Sequence, residues 1–551
     1  MKTQTILSGL AAVILLLIPV SAAPPTVISF GCIANNGCTG GSLEAYNSSA
    51  MTAGNIISVA GFYAGGDGGS GNFVVLGQQP AVCNVYTSTA SNTSGSPGTT
   101  TIIFTGSPSY PTGLTVGELV SGLGVPGFDV RVQPGSEIAG ITMSGSPQHI
   151  SAISLTLPLT GTATGTPNIN LTITGSNGGT LITDSYSASP VFANCYQKTN
   201  YHGDPHEWGA YGDATPDGTI GHDDTIALQN WLGAYGNAVN VNSTLPSGTP
   251  PANFGPWNAT IPANYLVTSP LFCPPNATIR GDENLTNNNS NGQNFNPRVN
   301  FIASSATLTP FSGYTFPSAN PVTSSSFYGS QAVFGTYAYC RLSGIGVSGN
   351  GFVAKTTGNT NATTTINNLG STFNVHIGNA VVGSVLNDIP PGTVVVAVNS
   401  SCLSACTITV SQPTNLSSST ETIYFYGPDA VDVLDNRLTV DGFSLLANGR
   451  YDLFCGFQKG PNIDGISVKD TSFQDALLDD FYAPGACSNV RLIGNIVAGA
   501  GTNDPYTDGG GIGIYFASDE MNLSGGVIEE SKAAGVYLAK AFSVSMTGMD
   551  I

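Results

Sequence analysis

Apolar residues alternate with polar ones in short bursts toward the C-terminal end, and the bursts share one phrase. Ile466 to Phe473 reads ISVKDTSF, Val490 to Val497 VRLIGNIV, Met521 to Ile528 MNLSGGVI, and Val544 to Ile551 VSMTGMDI. Their starts lie 24, 31 and 23 residues apart. LTVDGFSL from Leu438 fits upstream, and CRLSGIGV from Cys340 fits once an insertion is set aside. Period-two alternation predicts strands, and Gly or Asn marks the bends between them. A period in the low twenties predicts one solenoid coil per repeat. No phrase can bury its apolar face alone, so successive coils must stack. The expected fold is all-β, with a parallel β-helix as its main body.

A second strand follows each phrase, in YDLF from Tyr451, DDFY from Asp479, IYF from Ile514 and VYL from Val536. Aligned by their in/out rhythm, Phe454, Phe481, Phe516 and Leu538 are expected to point inward and stack. Leu453, Asp480, Tyr515 and Tyr537 then point outward, about 4.8 Å apart on successive coils.

Two similar segments interrupt this pattern. Thr99–Ile102 (TTTI), VGELVSG from Val116 and ISLTLP from Ile153 recur in order as Thr363–Ile366 (TTTI), IGNAVVG from Ile377 and ITVSQP from Ile408. Their alternation and Gly/Pro turns predict a duplicated small β module, a sandwich or barrel. Excising the second brings Cys340 and Leu438 to about one coil spacing, so it is an insertion into the helix, where a turn tolerates it. The expected organisation is a signal peptide (1–23), an N-terminal β extension (24–90), an inserted β module (91–175), the extension's return with a capping helix and first coils (176–355), a second inserted module (356–428) and the remaining coils (429–551).

Between the modules, Glu207 to Gly236 reads EWGAYGDATPDGTIGHDDTIALQNWLGAYG. Asp223 or Asp224 can cap a helix starting at Thr225, with Ile226, Leu228 and Leu232 among its apolar positions. Short strands follow in NYLVTSPLFCPPNATIRGDE, Asn264 to Glu283. The GAYGD…DDTIALQ run, the YLVTSPL strand and the TIRGD turn together resemble the entry of a pectate-lyase-superfamily β-helix. Phage tailspikes and the rhamnogalacturonase/epimerase-like group share that entry. GFYAGGDGGSGNFVV from Gly61 and GGTLITD from Gly178 resemble the segment that often precedes it. The resemblance covers most of the chain outside the leader and the modules. It implies a right-handed helix with a short N-terminal capping helix, handling a polysaccharide. It does not choose a reaction, because the group includes lyases, hydrolases and pure binders.

Composition narrows the partners. The chain has 551 residues, a formal charge of −19 and only 14 Lys plus Arg. Nucleic acid is excluded, since its capture rests on cations neutralising phosphates. An acidic polysaccharide would need a local basic patch. Lys2, the apolar run Ile6 to Pro19 and Val20-Ser21-Ala22 have the form of a cleaved export signal, and no later run is long enough to span a bilayer. The expected location is secreted, extracellular or on the cell surface. Ten cysteines in an exported chain predict disulfides rather than metal sites. Cys32/Cys38 and Cys402/Cys406 are close enough for small loops, and Cys83/Cys195 can clamp the first module's base. The pairing of Cys273, Cys340, Cys455 and Cys487 stays open.

Glycoside cleavage needs an acid and a base or nucleophile. The candidates are Asp479, Asp480, Asp508, Glu529 and Glu530. Glu530 and Asp475 take the same place after their phrases two coils apart, which is about 9–10 Å. Tyr515 and Tyr537, with Arg491 and Lys532, are the candidate substrate contacts. The polygalacturonase pattern is not met: Asp479-Asp480 resembles its paired aspartates, but no His-Gly or Arg-Ile-Lys follows. No cofactor is expected. A lyase mechanism would call for Ca²⁺ with an Arg or Lys base, yet no acidic loop of recognisable spacing accompanies Lys469, Arg491 or Lys532. GDGGSG at Gly66 lacks the Lys-Ser/Thr ending of a phosphate loop and predicts a turn. His202 and His206 flank Pro205, which argues against a helical Zn²⁺ pair. The expected function is polysaccharide engagement with hydrolase or lyase activity, the alternative being a non-catalytic surface or adhesion protein. A coil ending at Ile551 needs cover, from further chain or from another copy in a homo-oligomer.

Overall fold

The computed structural model describes residues 27–34, 38–46, 51–78, 82–88, 93–105, 110–124, 130–133, 135–145, 148–161, 165–174, 177–178, 181–183, 194–199, 203–239, 257–259, 263–274, 276–281, 299–305, 308, 332–336, 339–385, 388–390, 393–399, 401–455, 463–485, 487–501 and 511–551. The described residues are all-β apart from one α-helix, Thr225–Val239, and one short 3₁₀ turn, Pro205–Trp208. Its main body is a right-handed parallel β-helix.

Each coil carries three strands. One ladder stacks Thr278–Gly281, Arg341–Ser343, Thr439–Asp441, Ser467–Lys469, Val490–Ala498 and Asp519–Glu529 in parallel. A second stacks Val299–Ala303, Gly346–Ser348, Leu445–Ala447 and Ser472–Gln474 onto the later half of Val490–Ala498. The third runs from Leu271–Cys273 through Ala332–Thr336, Asp429–Val433, Leu453–Cys455, Phe481–Ala483 and Ile512–Phe516 to Ala534–Leu538. The repeated phrase therefore spans two strands in the Cys340, Leu438 and Ile466 coils, and one long strand bent midway in the Val490 and Met521 coils. The residue at the bend is left-handed on six successive coils: Gly344, Gly442, Asp470, Gly494, Gly525 and Gly548 all have φ between 48° and 69°. Glycine occupies five of these six positions because a Cβ disfavours that conformation.

Side chains on the inner face stack into a continuous core. Leu342, Val440, Val468, Leu492 and Leu523 form one buried column, and Phe334, Val431, Leu453, Phe481 and Ile514 another. The capping helix closes the N-terminal end: Leu228, Trp231 and Leu232 are buried there, and Trp231 stacks on Phe301 with ring centroids 6.4 Å apart. Asp223 Oδ1 accepts from the Thr225 N–H at 3.1 Å, and Asp224 accepts from Tyr211 and Gly212 N–H at 2.6 and 3.1 Å. Both carboxylates thus tie the cap to its preceding turn. At the other end the last coil exposes Leu538, Phe542, Met546 and Ile551.

The two modules repeat one another in backbone bonding. Gly117 N–H to Ile138 O, Val120 to Ser136, Ile138 to Glu118 and Leu155 to Thr100 are matched by Gly378 to Val395, Val381 to Thr393, Val395 to Asn379 and Val410 to Thr364. The first module's strands lie between Tyr86 and Thr174, the second's between Val353 and Tyr426. The GDGGSG segment is a turn held by Asp67, whose carboxylate accepts from the N–H groups of Phe62, Tyr63, Ala64 and Gly69. Ten cysteines form five disulfides: Cys32–Cys38, Cys83–Cys195, Cys273–Cys340, Cys402–Cys406 and Cys455–Cys487. Residues 1–23, His202 and Asp508 lie outside the described residues.

Candidate functional site

The outward face of the third ladder is aromatic. Register places Asp432, Phe454, Tyr482, Tyr515 and Tyr537 in one column. Ring centroids of Phe454 and Tyr482 are 6.0 Å apart, Tyr482 and Tyr515 4.8 Å, and Tyr515 and Tyr537 5.4 Å, with Tyr451 stacked on Tyr482 at 4.3 Å. This corrects the expected alignment. Tyr515 and Tyr537 do share the outward column, but Phe454 belongs to it too, and Leu453 faces the core with Phe481 and Ile514. Asp480 lies at the preceding corner and is 0% exposed, so it is not part of the outward column.

Cover explains the difference. The second module lays Tyr424 and Tyr426 against Phe272, Tyr451 and Phe454, and Phe454 is fully buried between the two bodies. A strand apolar on both faces has no alternation to align. The cover ends along the column: Tyr482 and Tyr515 are half-buried and Tyr537 is 49% exposed.

Arg450 braces the covered end. Its guanidinium donates Nε to Asp429 Oδ1 at 3.0 Å and Nη2 to Oδ2 at 2.7 Å, and lies 4.5 Å from the Tyr451 ring centroid. Burial alone would disfavour that charge; the Asp429 carboxylate more than offsets it and holds the guanidinium above its ordinary pKa.

Asp479 sits at the corner beside this column. It is 5% exposed and its Oδ1 accepts from the Ile512 N–H at 2.9 Å; burial raises the Tyr451, Tyr482 and Tyr515 phenols, and the Asp479 charge adds to that rise. Burial pushes its pKa to about 7, against the opposing pull of the Ile512 and Gly511 N–H groups. Asp480 Oδ2 is buried with no hydrogen-bond partner, as is Oδ2 of Asp452 one coil earlier. Burial holds both acids well above the carboxylate range, and the Asp480 charge raises Asp452 further. An acid beside an aromatic platform can protonate a departing oxygen, while the Asp452–Asp480 pair is sealed from solvent.

The other candidates are dispersed. Glu530 shares a left-handed turn column with Asp475 and Gly499, two coils from Asp475, and Glu529 ends the strand before it; both glutamates are exposed. Lys532 is exposed in the turn leading to Tyr537, its N–H bonded to Ala500 O. Arg491 lies on the first ladder, on a different sheet from the tyrosines. Tyr451, Tyr482 and Arg450 escaped sequence reasoning, although DDFY already carried Tyr482 at the residue after an inward Phe. Among the described residues no group of three or more His, Cys, Asp or Glu is placed to hold a metal ion. Among them, too, no helix is long and apolar enough to cross a membrane.

No protein-family model matches the chain, and no curated protein matches it either. Solved structures similar to it include the full-length tailspike protein 2 of an Escherichia coli O157:H7 bacteriophage, at 13% identity and a TM-score of 0.38 over 92% of this chain and 42% of that one. The Pseudomonas phage phi297 tailspike matches at 11% identity and a TM-score of 0.21, over 62% of this chain and 48% of that one. The tailspike of Acinetobacter baumannii bacteriophage AP22, solved with a capsular saccharide, matches at 10% identity and a TM-score of 0.13, over 50% of this chain and 42% of that one. The chain spans less than half the length of each.

Proposed function

We propose that this protein engages a polysaccharide along the Tyr482–Tyr515–Tyr537 column, outside the cytoplasm. One observation carries the reading: three tyrosines stacked at coil spacing emerge from beneath an inserted module into solvent. Because the rings stack on one another, they turn their edges outward, where C–H rims can pack against sugar rings and phenol hydroxyls can bond sugar hydroxyls. Five disulfides support folding in an oxidising compartment. Binding to a glycan panel tests this, with a Tyr515→Ala/Tyr537→Ala double variant as the comparison. Retention should fall about tenfold or more in the variant; equal retention of both proteins on every glycan overturns the reading.

A second reading is favoured by Asp479, an acid held near neutrality beside the column. In it the protein hydrolyses the glycan: Asp479 gives its proton to the leaving oxygen as the glycosidic bond breaks, water adds to the anomeric carbon, and the proton that water releases restores the carboxylic acid. New reducing ends should appear with the wild type and vanish with Asp479→Asn. Binding without product would leave a surface or adhesion role.

A further inference from the structure

We infer that a second groove, on the first ladder, binds the carboxylates or sulfates of an acidic saccharide. It is a cleft of about 590 Å³ lined by Tyr339, Arg341, Arg437, Asp464, Asn489 and Arg491 among others. The whole chain carries only 14 cationic side chains against 33 acidic ones, and three of the 14 line this cleft. Arg341 is paired to Asp441, whereas neither Arg437 nor Arg491 forms an ion pair among the described residues. The one lining carboxylate, Asp464, is engaged by the Ser488 hydroxyl and the Asn489 amide.

Two features mark the cleft as built. Arg341, Thr439, Ser467 and Arg491 form one outward column, so the two arginines are three coils apart, about 14 Å, with Arg437 beside the interval. That span suits a chain rather than a single sugar. The turn bordering the column is left-handed at Asn276, Tyr339, Arg437, Gly465, Asn489, Glu520 and Ser543. Asn and Gly take that conformation readily, whereas Tyr339 (φ 61°) and Arg437 (φ 64°) do so at a steric cost. These two bulky residues occur on adjacent coils, with the guanidinium 5.2 Å from the Tyr339 ring centroid and the ring 52% exposed. The same turn holds Glu520 and Ser543 outside the cleft, so what marks this place is the exposed guanidinium–ring pair itself. Guanidinium forks match carboxylate and sulfate oxygens in geometry and charge. With net charge −19, the rest of the surface repels a polyanion, so capture is confined to this cleft.

This inference rests on the saccharide reading, and the test separates the two. Polygalacturonate, alginate and hyaluronate, each with its carboxyl-reduced neutral counterpart, are compared by affinity electrophoresis of the whole protein at low salt. At least one acidic polymer should be held about tenfold more tightly than its reduced form, and salt should erase the difference. Arg437→Gln/Arg491→Gln should lose the preference while keeping tyrosine-dependent retention of neutral polymer. No acid preference in the wild type, or a preference unchanged in the double variant, overturns the inference and leaves the tyrosine column standing. Acid preference with retention unaffected by Tyr515→Ala/Tyr537→Ala overturns the column alone. Equal retention of single-stranded DNA would replace the saccharide with a generic polyanion and overturn the assignment.

Discussion

Asp479 should make the coil region less stable as pH rises through neutrality. Its folded pKa of about 7 stands above the ordinary value of 3.8 because the charged form is buried. Between those values the folded state holds a proton that the unfolded chain has released. Stability from this group is therefore present at acidic pH and lost as pH rises toward 7. From pH 5 to pH 8 the folded carboxyl gives up nearly its whole proton, whereas the unfolded one is already ionised. Integrating that difference over about two pH units gives a loss of about 2 to 3 kcal/mol. Asp479→Asn keeps an acceptor for the Ile512 N–H and cannot ionise. Denaturant unfolding at pH 5 and pH 8, with hydrogen exchange of the segment around Phe481 to confirm that this region opens, reads the effect. The wild type should lose about 2 to 3 kcal/mol more than the variant. Equal losses within about 0.5 kcal/mol would refute the claim that Asp479 is buried and unpaired by any cation.

Arg450→Met should destabilise the coils by about 3 to 5 kcal/mol, because it strands the buried Asp429 carboxylate. Adding Asp429→Leu should recover most of that loss in thermal unfolding, which distinguishes a stranded charge from a packing defect. Cys455→Ser/Cys487→Ser opens a loop closed over 32 residues of sequence. It should cost about 3 to 4 kcal/mol by the loop-closure argument, measured by unfolding under non-reducing conditions.

The architecture was legible because stacking imposes a period on the chain. Val468, Leu492 and Leu523 recur at the same place in their phrases, and each does pair with the next. Gly494 and Gly525 read correctly as bends, yet whether a phrase forms two strands or one bent strand rested on backbone angles. Local sequence failed where a second body covers the strand: Leu453 and Phe454 are both buried, one against the core and one against the module, so hydrophobicity could not choose between them. Arg450 was out of reach for another reason. Its partner Asp429 belongs to the preceding coil, and only coil spacing brings the pair together. Arg341 and Arg437 are separated in sequence by the whole second module, so their groove does not exist as a sequence motif.

That same module gives the tyrosine column its chemistry. Where Tyr424 and Tyr426 cover the third ladder, the column presents Phe454, which buries no hydroxyl. Once the cover ends, the next three coils present tyrosine instead. A tyrosine at the Phe454 position would need a partner for its hydroxyl beneath the module, as the neighbouring buried Tyr451 does. A phenylalanine beyond it would leave a bare apolar ring in water. The change from Phe to Tyr therefore follows the change from protein neighbour to solvent. Packing alone would account for one such tyrosine. Three in register, stacked on one another and each turning an apolar edge and a polar rim outward, make a continuous surface on which a sugar chain can replace water.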